Sequence, residues 1–175
     1  MLPCCEISDA TNYTVGDDDG WNFKVHDWPT SKKFHTHDTL VFKYNNGHHN
    51  VALVDKNGYT TCTIGEGDQV FSSGNDEIKL QHGQNYICGF PGHRAARMKM
   101  AVIATQVFKY NNGHHNVALV DENDYTTCTI GEGDQVFSSG NDEIKLQHGQ
   151  NYICGFPGHR DARMKMAVTT TQGRS

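Results

Sequence analysis

Proline is scarce in this 175-residue chain, at 4 residues, and long apolar runs are missing. No stretch approaches the roughly 18 apolar residues that a membrane-spanning helix needs. Mean hydropathy is −0.64. Positive charge is not in excess: the net charge is −5 and the pI about 6.1. No broad basic surface therefore argues for a nucleic-acid partner. Residues 1–10 lack the positive region and apolar core of a signal peptide, so either the chain is not secreted or its leader is not part of this sequence. The polar tail after Gln172 carries no lipid-anchor signal. One glycosylation sequon, Asn12-Tyr13-Thr14, gives weak support for secretion. Amphipathic helical periodicity is also missing.

What is present is glycine, 18 residues of it, punctuating short β-branched and aromatic runs. That is the pattern of an all-β protein. Strands are expected at 12–15, 39–44, 50–54, 59–64, 77–80, 85–88 and 99–104, with a helical turn within 28–37. Strands this closely spaced suggest a sandwich or small barrel.

The segment 41–106 recurs as 107–172 with five differences: Lys56/Glu122, Gly58/Asp124, Ala95/Asp161, Ile103/Thr169 and Ala104/Thr170. A repeat this long and this close reads as a partial duplication, not a solenoid. The segment 1–40 has no second copy. Between Met98 and Tyr110 there is no Gly, Pro, Asn or Asp, so a closing strand runs into an opening one without turn chemistry. The expected organisation is one complete domain at 7–105, then a partial duplicate at 106–172 that lacks the N-terminal strands.

Chemistry concentrates in Cys88-Gly-Phe-Pro-Gly-His93-Arg-Ala-Ala-Arg-Met98. The spacing is Cys-x4-His-x4-Met, and Pro91-Gly92 makes the loop tight enough for three donor types to converge. His49, between the turn at Gly47 and the apolar run 51–54, is the candidate fourth donor. Two imidazoles, a thiolate and a weak thioether suit both oxidation states of copper. Methionine is a poor zinc ligand, which disfavours that rival. The set recurs as His115, Cys154, His159 and Met164. One firm copper site is expected, with the second set as a further candidate.

Taken singly, each of these residues is more often packing than ligand. His35, His37, His48 and His82 lie in polar runs and read as solvated. Asp17-Asp18-Asp19 reads as a turn, since calcium needs more widely spaced oxygens. Trp21 and Trp28 read as packing. No nucleophile–base pair or phosphate loop is visible, so no enzyme is expected. A copper oxidase would need further ligands, and only His35-Thr36-His37 offers a His-x-His pair.

The chain resembles the phytocyanins, plant blue-copper proteins. The matching residues are Tyr13-Thr14-Val15-Gly16-Asp17, Gly20-Trp21, Trp28, Phe34, Asp38-Thr39-Leu40-Val41-Phe42, Tyr44, His49-Asn50-Val51, Cys62, Gly83-Gln84-Asn85-Tyr86 and Cys88-Gly89-Phe90-Pro91-Gly92-His93. They span about 7–104, and the second copy in part. Met98 in the axial place resembles the plantacyanin or uclacyanin type. The resemblance implies a cupredoxin-like Greek-key β-sandwich, an apoplastic location and type 1 copper cycling between Cu(I) and Cu(II), with a redox partner of unknown identity. The alternative is a non-redox extracellular interaction module that has lost copper.

Three departures stand out. The family's disulfide partner of Cys62 is Arg94 here, and Arg160 in the copy. A family glycine is His37. The strand before Cys88 is one residue short, and a one-residue slip would turn its side chains across the sheet. Cys4, Cys5, Cys62 and Cys128 are left without assigned partners. A Cys62–Cys128 bridge is conceivable, but nothing in the sequence positions any pair.

Overall fold

A computed structural model describes residues 9–93, 95–147, 149–159, 162 and 164–168. Two compact units emerge, Asp9–Ala104 and the described part of Thr105–Ser175.

In the first unit the strands are β1 (Asn12–Thr14), β2 (Phe34–His35), β3 (Thr39–Lys43), β4 (Val51–Val54), β5 (Gln69–Phe71), β6 (Asn75–Lys79), β7 (Gln84–Ile87) and β8 (Lys99–Val102). One sheet runs β1-β3-β6 and the other β5-β4-β7-β8. β1 lies parallel to β3, with Tyr13 opposite Leu40. β3–β6, β4–β5, β4–β7 and β7–β8 are antiparallel. Alternation places Leu40, Phe42, Ile78, Tyr86, Cys88, Met98, Met100 and Val102 in one core cluster. Phe42 is its aromatic centre, 5.3 Å from Trp21 and 5.0 Å from Tyr86 between ring centroids. The segment ahead of β3 adds Val15, Trp21, Val25 and Phe34 to this core.

The N-terminal segment is pinned by specific bonds. Asp38 is buried, yet its side-chain oxygens accept from the backbone of Thr11 at 2.9 Å and of His35 at 2.8 Å, so the buried polar group is hydrogen-bonded. Gly16 has a φ of 75°, and a Cβ there would lie 2.0 Å from the Gly20 carbonyl oxygen, so only glycine fits this turn. Asp17–Asp19 and Val25–Ser31 form 3-10 turns. The second of these begins earlier than the helical turn expected within 28–37.

A strand expected at 59–64 is instead a helix, α1 (Lys56–Thr61). The Asp55 carboxylate caps it by accepting from the Gly58 N–H at 2.7 Å. The hydroxyls of Thr60 and Thr61 bond back to the carbonyls of Lys56 and Asn57. Cys62 ends it in the left-handed conformation, and Lys99 Nζ donates to the Tyr59 carbonyl beside that end. The Asp-Lys-Asn-Gly cluster is thus a helix cap with its first turn, although its composition equally suits a hairpin turn. The short β5 is a further strand beyond those expected from the sequence.

The second unit repeats the plan with β9 (Ala104–Lys109), β10 (Val117–Val120), α2 (Glu122–Thr127), β11 (Gln135–Phe137), β12 (Asn141–Lys145), β13 (Asn151–Ile153) and β14 (Lys165–Ala167). Only Ile103 separates β8 from β9. The register is conserved: Ala52 faces Ile87, and Ala118 faces Ile153. This copy is incomplete. Among its described residues there is no counterpart of β1 or β2, and the main core cluster holds Phe108, Val117, Ile144, Leu146, Tyr152 and Val168.

Candidate metal centre

His49 is set by the turn before β4. Its N–H donates to the Asn45 carbonyl at 3.1 Å, and Gly47 takes a left-handed φ of 86°. Cys88 follows directly on β7. The short strand causes no slip, because Gln84, Tyr86 and Cys88 stay on one face and Ile87 on the other. The alternation is unbroken through Cys88. The loop after Cys88 is closed by its own backbone: Cys88 N–H to Met98 O (2.9 Å), His93 N–H to Phe90 O (3.1 Å) and Met98 N–H to His93 O (3.3 Å).

Asn50 couples the two segments. Its side-chain Oδ1 accepts from the Gly89 N–H at 2.7 Å, and its carbonyl accepts from the Trp21 indole N–H at 2.9 Å. Gly89 leaves the room that the Ile64 side chain fills, since a Cβ there would lie 2.4 Å from Ile64 Cδ1.

The result is a convergence of donors. Cys88 Sγ lies 3.1 Å from His93 Nδ1 and 3.9 Å from His49 Nδ1. The imidazole centroids are 4.7 Å apart. All three donor atoms lie within 4.8 Å of one another. Cys88 is 1% exposed. Burial, then the neighbouring His93 and His48, hold His49 below the ordinary imidazole value of 6.5. A neutral imidazole beside a buried thiol is what a thiophilic metal requires. Met98 is buried in the same cluster as Cys88.

The second unit builds the same arrangement. Cys154 Sγ lies 3.1 Å from His159 Nδ1 and 4.0 Å from His115 Nδ1. Met164 accepts the Cys154 N–H at 2.9 Å through its carbonyl. These two groups are the His/Cys/acid clusters of metal-binding type among the described residues.

Other expectations fare unevenly. Trp21 packs in the core, but its indole also organises the site through Asn50. His82 is not solvated: it is buried, with Nδ1 2.7 Å from the Gly83 carbonyl. His37 takes a left-handed φ of 78°, in the region that favours glycine. Cys62 and Cys128 are free thiols. Arg94, Arg160, Cys4 and Cys5 lie outside the described residues.

Phe23 carries no signal in the sequence. Its ring stands edge-on to both imidazoles, 4.8 Å from His93 and 5.8 Å from His49. An aromatic in a polar loop gives no periodic pattern, and only the tertiary contact reveals its role.

The chain is similar to several known proteins. The description "plastocyanin-like domain" matches residues 18–100 and again 95–164. Chemocyanin of Lilium longiflorum is 48% identical over 101 residues, which cover 57% of this chain and 80% of that protein. A basic blue protein of Cucumis sativus is 47% identical over 93 residues, covering 53% of this chain and 97% of that one. The solved structure of cucumber basic protein, a blue copper protein, superposes with a TM-score of 0.52 at 43% identity, over 54% of this chain and 99% of its own. With two matched copies, a cupredoxin-like fold and a His/Cys/His cluster in each unit, the chain belongs to the plastocyanin-like domain family, among the phytocyanins.

Proposed function

We propose that the chain is a type 1 copper electron carrier, with His49, Cys88, His93 and Met98 as the ligand set. His115, Cys154, His159 and Met164 are the corresponding set in the second copy. The observation that carries this reading is the meeting of a buried thiol and two Nδ1 atoms within 4.8 Å. Copper in such a donor set supplies reversible one-electron transfer between Cu(I) and Cu(II). The chain's own residues do the rest. Two strands and a hydrogen-bonded loop hold the donors in place, and the surrounding core keeps water from the sulfur. Little need move when the oxidation state changes. The carrier role needs no catalytic group, and we assign none.

The complete domain is taken as 7–105 and the partial duplicate as 106–172, a division supported by the two compact units. An extracellular, apoplastic setting is inferred from the phytocyanin relationship, and the sequon Asn12 is exposed on β1. The redox partner is a protein or small molecule approaching the metal end. No described helix is long and apolar enough to cross a membrane.

One observation favours the alternative of a non-redox interaction module. Cys62 and Cys128 are free, so each unit lacks the bridge its relatives are expected to carry. A lost disulfide costs a small domain roughly 2–5 kcal/mol.

Titration of the purified chain with Cu(II), followed by visible absorption and EPR, separates the two readings. An intense blue band with narrow copper hyperfine splitting, lost when Cys88→Ala and Cys154→Ala are combined, is expected. A colourless chain that takes up no copper leaves the interaction-module reading standing.

A further inference from the structure

The two clusters have the same ligands and nearly the same internal distances, but different covers. Over the first stands Phe23, edge-on to His93 at an interplanar angle of 78° and to His49 at 70°. Its position is fixed on both sides. Trp21, two positions earlier, is buried, with its N–H on the Lys43 carbonyl and its indole N–H on the Asn50 carbonyl. Asn22, between them, bonds through its amide to the Gly20 carbonyl at 3.0 Å and accepts the Lys24 N–H at 2.7 Å. Phe23 is 47% exposed, so it forms the outer wall of the site and is not part of the core.

The duplication began after this segment. The second unit has no counterpart of residues 1–40, and so none of Trp21 or Phe23. Among the described residues of that unit, His115 and His159 stack on each other at 4.5 Å, and His159 meets Phe156 at 6.3 Å. The consequences reach the donors. Cys154 is 6% exposed against 1% for Cys88, and Met164 is half-buried where Met98 is 1% exposed. Val117, in the register position of Val51, rises from fully buried to 8% exposed.

We propose that the second site is an open metal site that admits a small exogenous anion to its metal, whereas Phe23 closes the first site against one. The inference rests on the copper reading above and deepens it. A metal held by two imidazoles, a thiolate and a weak thioether would be able to accept an outside donor where no described side chain stands over the imidazoles. Edge-to-face packing holds Phe23 against both imidazoles of the first site. The duplicated chain would then carry two kinds of copper, one shielded for outer-sphere electron transfer and one able to bind a small anionic ligand directly.

The test uses the full chain with one site left at a time. Cys154→Ala leaves the first site and Cys88→Ala the second. Each is loaded with Cu(II), its blue absorption and EPR are recorded, and sodium azide is then added. Saturable azide-dependent changes in the Cys88→Ala chain, and none in the Cys154→Ala chain, are expected. Adding Phe23→Ala to the Cys154→Ala chain should make the first site azide-responsive. Equal responses at both sites, or none at either, would overturn the proposal. If neither chain takes copper, the carrier reading fails on its own, and access is decided without metal. With Cys4, Cys5, Cys62 and Cys128 replaced by serine, iodoacetamide should modify Cys154 roughly tenfold faster than Cys88, since reaction needs access to the thiol. Phe23→Ala should narrow that gap, and equal rates in the Phe23 protein would refute the asymmetry.

Discussion

The backbone N–H of Cys88 donates to the carbonyl of Met98 over 2.9 Å, joining the first and last members of the ligand loop. The excursion between them is therefore a closed ring, and both side chains end in one core cluster.

This closure makes Met98 a test of the axial assignment. An amide oxygen is a harder donor than a thioether and favours Cu(II). Met98→Gln, in a chain whose second site is removed by Cys154→Ala, should keep the blue band and lower the reduction potential. Spectroelectrochemistry reads the shift. An unchanged potential would place Met98 outside the metal's reach.

His37 offers a test of the fold without metal. Its φ of 78° lies in the left-handed region, which costs a residue with a Cβ roughly 1–2 kcal/mol. Its N–H on the Leu80 carbonyl, at 2.8 Å, holds it there, and glycine keeps that bond. His37→Gly should stabilise the first unit by about 1 kcal/mol, read as a higher midpoint in urea.

Asn50 ties the His49 segment to the Cys88 loop through a side-chain bond to the Gly89 N–H. Asn50→Ala should cost about 1 kcal/mol and broaden the copper EPR spectrum, because the loop loses its lateral tie. Stability loss with an unaltered spectrum would confine Asn50 to a structural role.

The cores predict an order of unfolding. Val15, Trp21, Val25 and Phe34 add to the core cluster of the first unit, and each fully buried apolar side chain is worth roughly 1.5–3 kcal/mol. Limited proteolysis should digest the second unit first and leave a resistant fragment ending near residue 105. Equal resistance of both units would contradict this order.

Alkaline pH should act through buried phenols. Burial pushes Tyr86 far above the ordinary value of 10.0 and Tyr152 up to about 12. The folded chain thus keeps protons that the unfolded chain releases above pH 10. The stability these tyrosines supply is complete below that pH and lost as pH rises toward their folded values. The urea midpoint should fall between pH 10 and 12, with tyrosinate absorbance rising alongside unfolding. A midpoint flat across that range would refute the linkage.

The sequence was legible where local chemistry is unambiguous. Cys-x4-His-x4-Met with Pro91-Gly92 marks a candidate ligand loop, needing a second imidazole points to His49, and the structure brings His49, Cys88 and His93 together. The sequence misled where one composition serves two structures. Asp55-Lys56-Asn57-Gly58 suits a hairpin turn and a capped helix equally, and the hydrogen bond from Gly58 to the Asp55 carboxylate decides for the helix. His82 looked solvated among polar neighbours, yet the chain path buries it.

By itself the sequence determined the candidate donor types, their spacing, the duplication and the all-β class, because these depend on residue identity and short-range period. Only the tertiary structure decided which surfaces cover the donors. Phe23 is remote from His93 along the chain and meets it in a segment that Trp21 ties to Lys43 and Asn50. Such contacts follow from how distant strands pack, and a near-perfect copy of the ligand segment cannot reproduce a cover that was never copied with it.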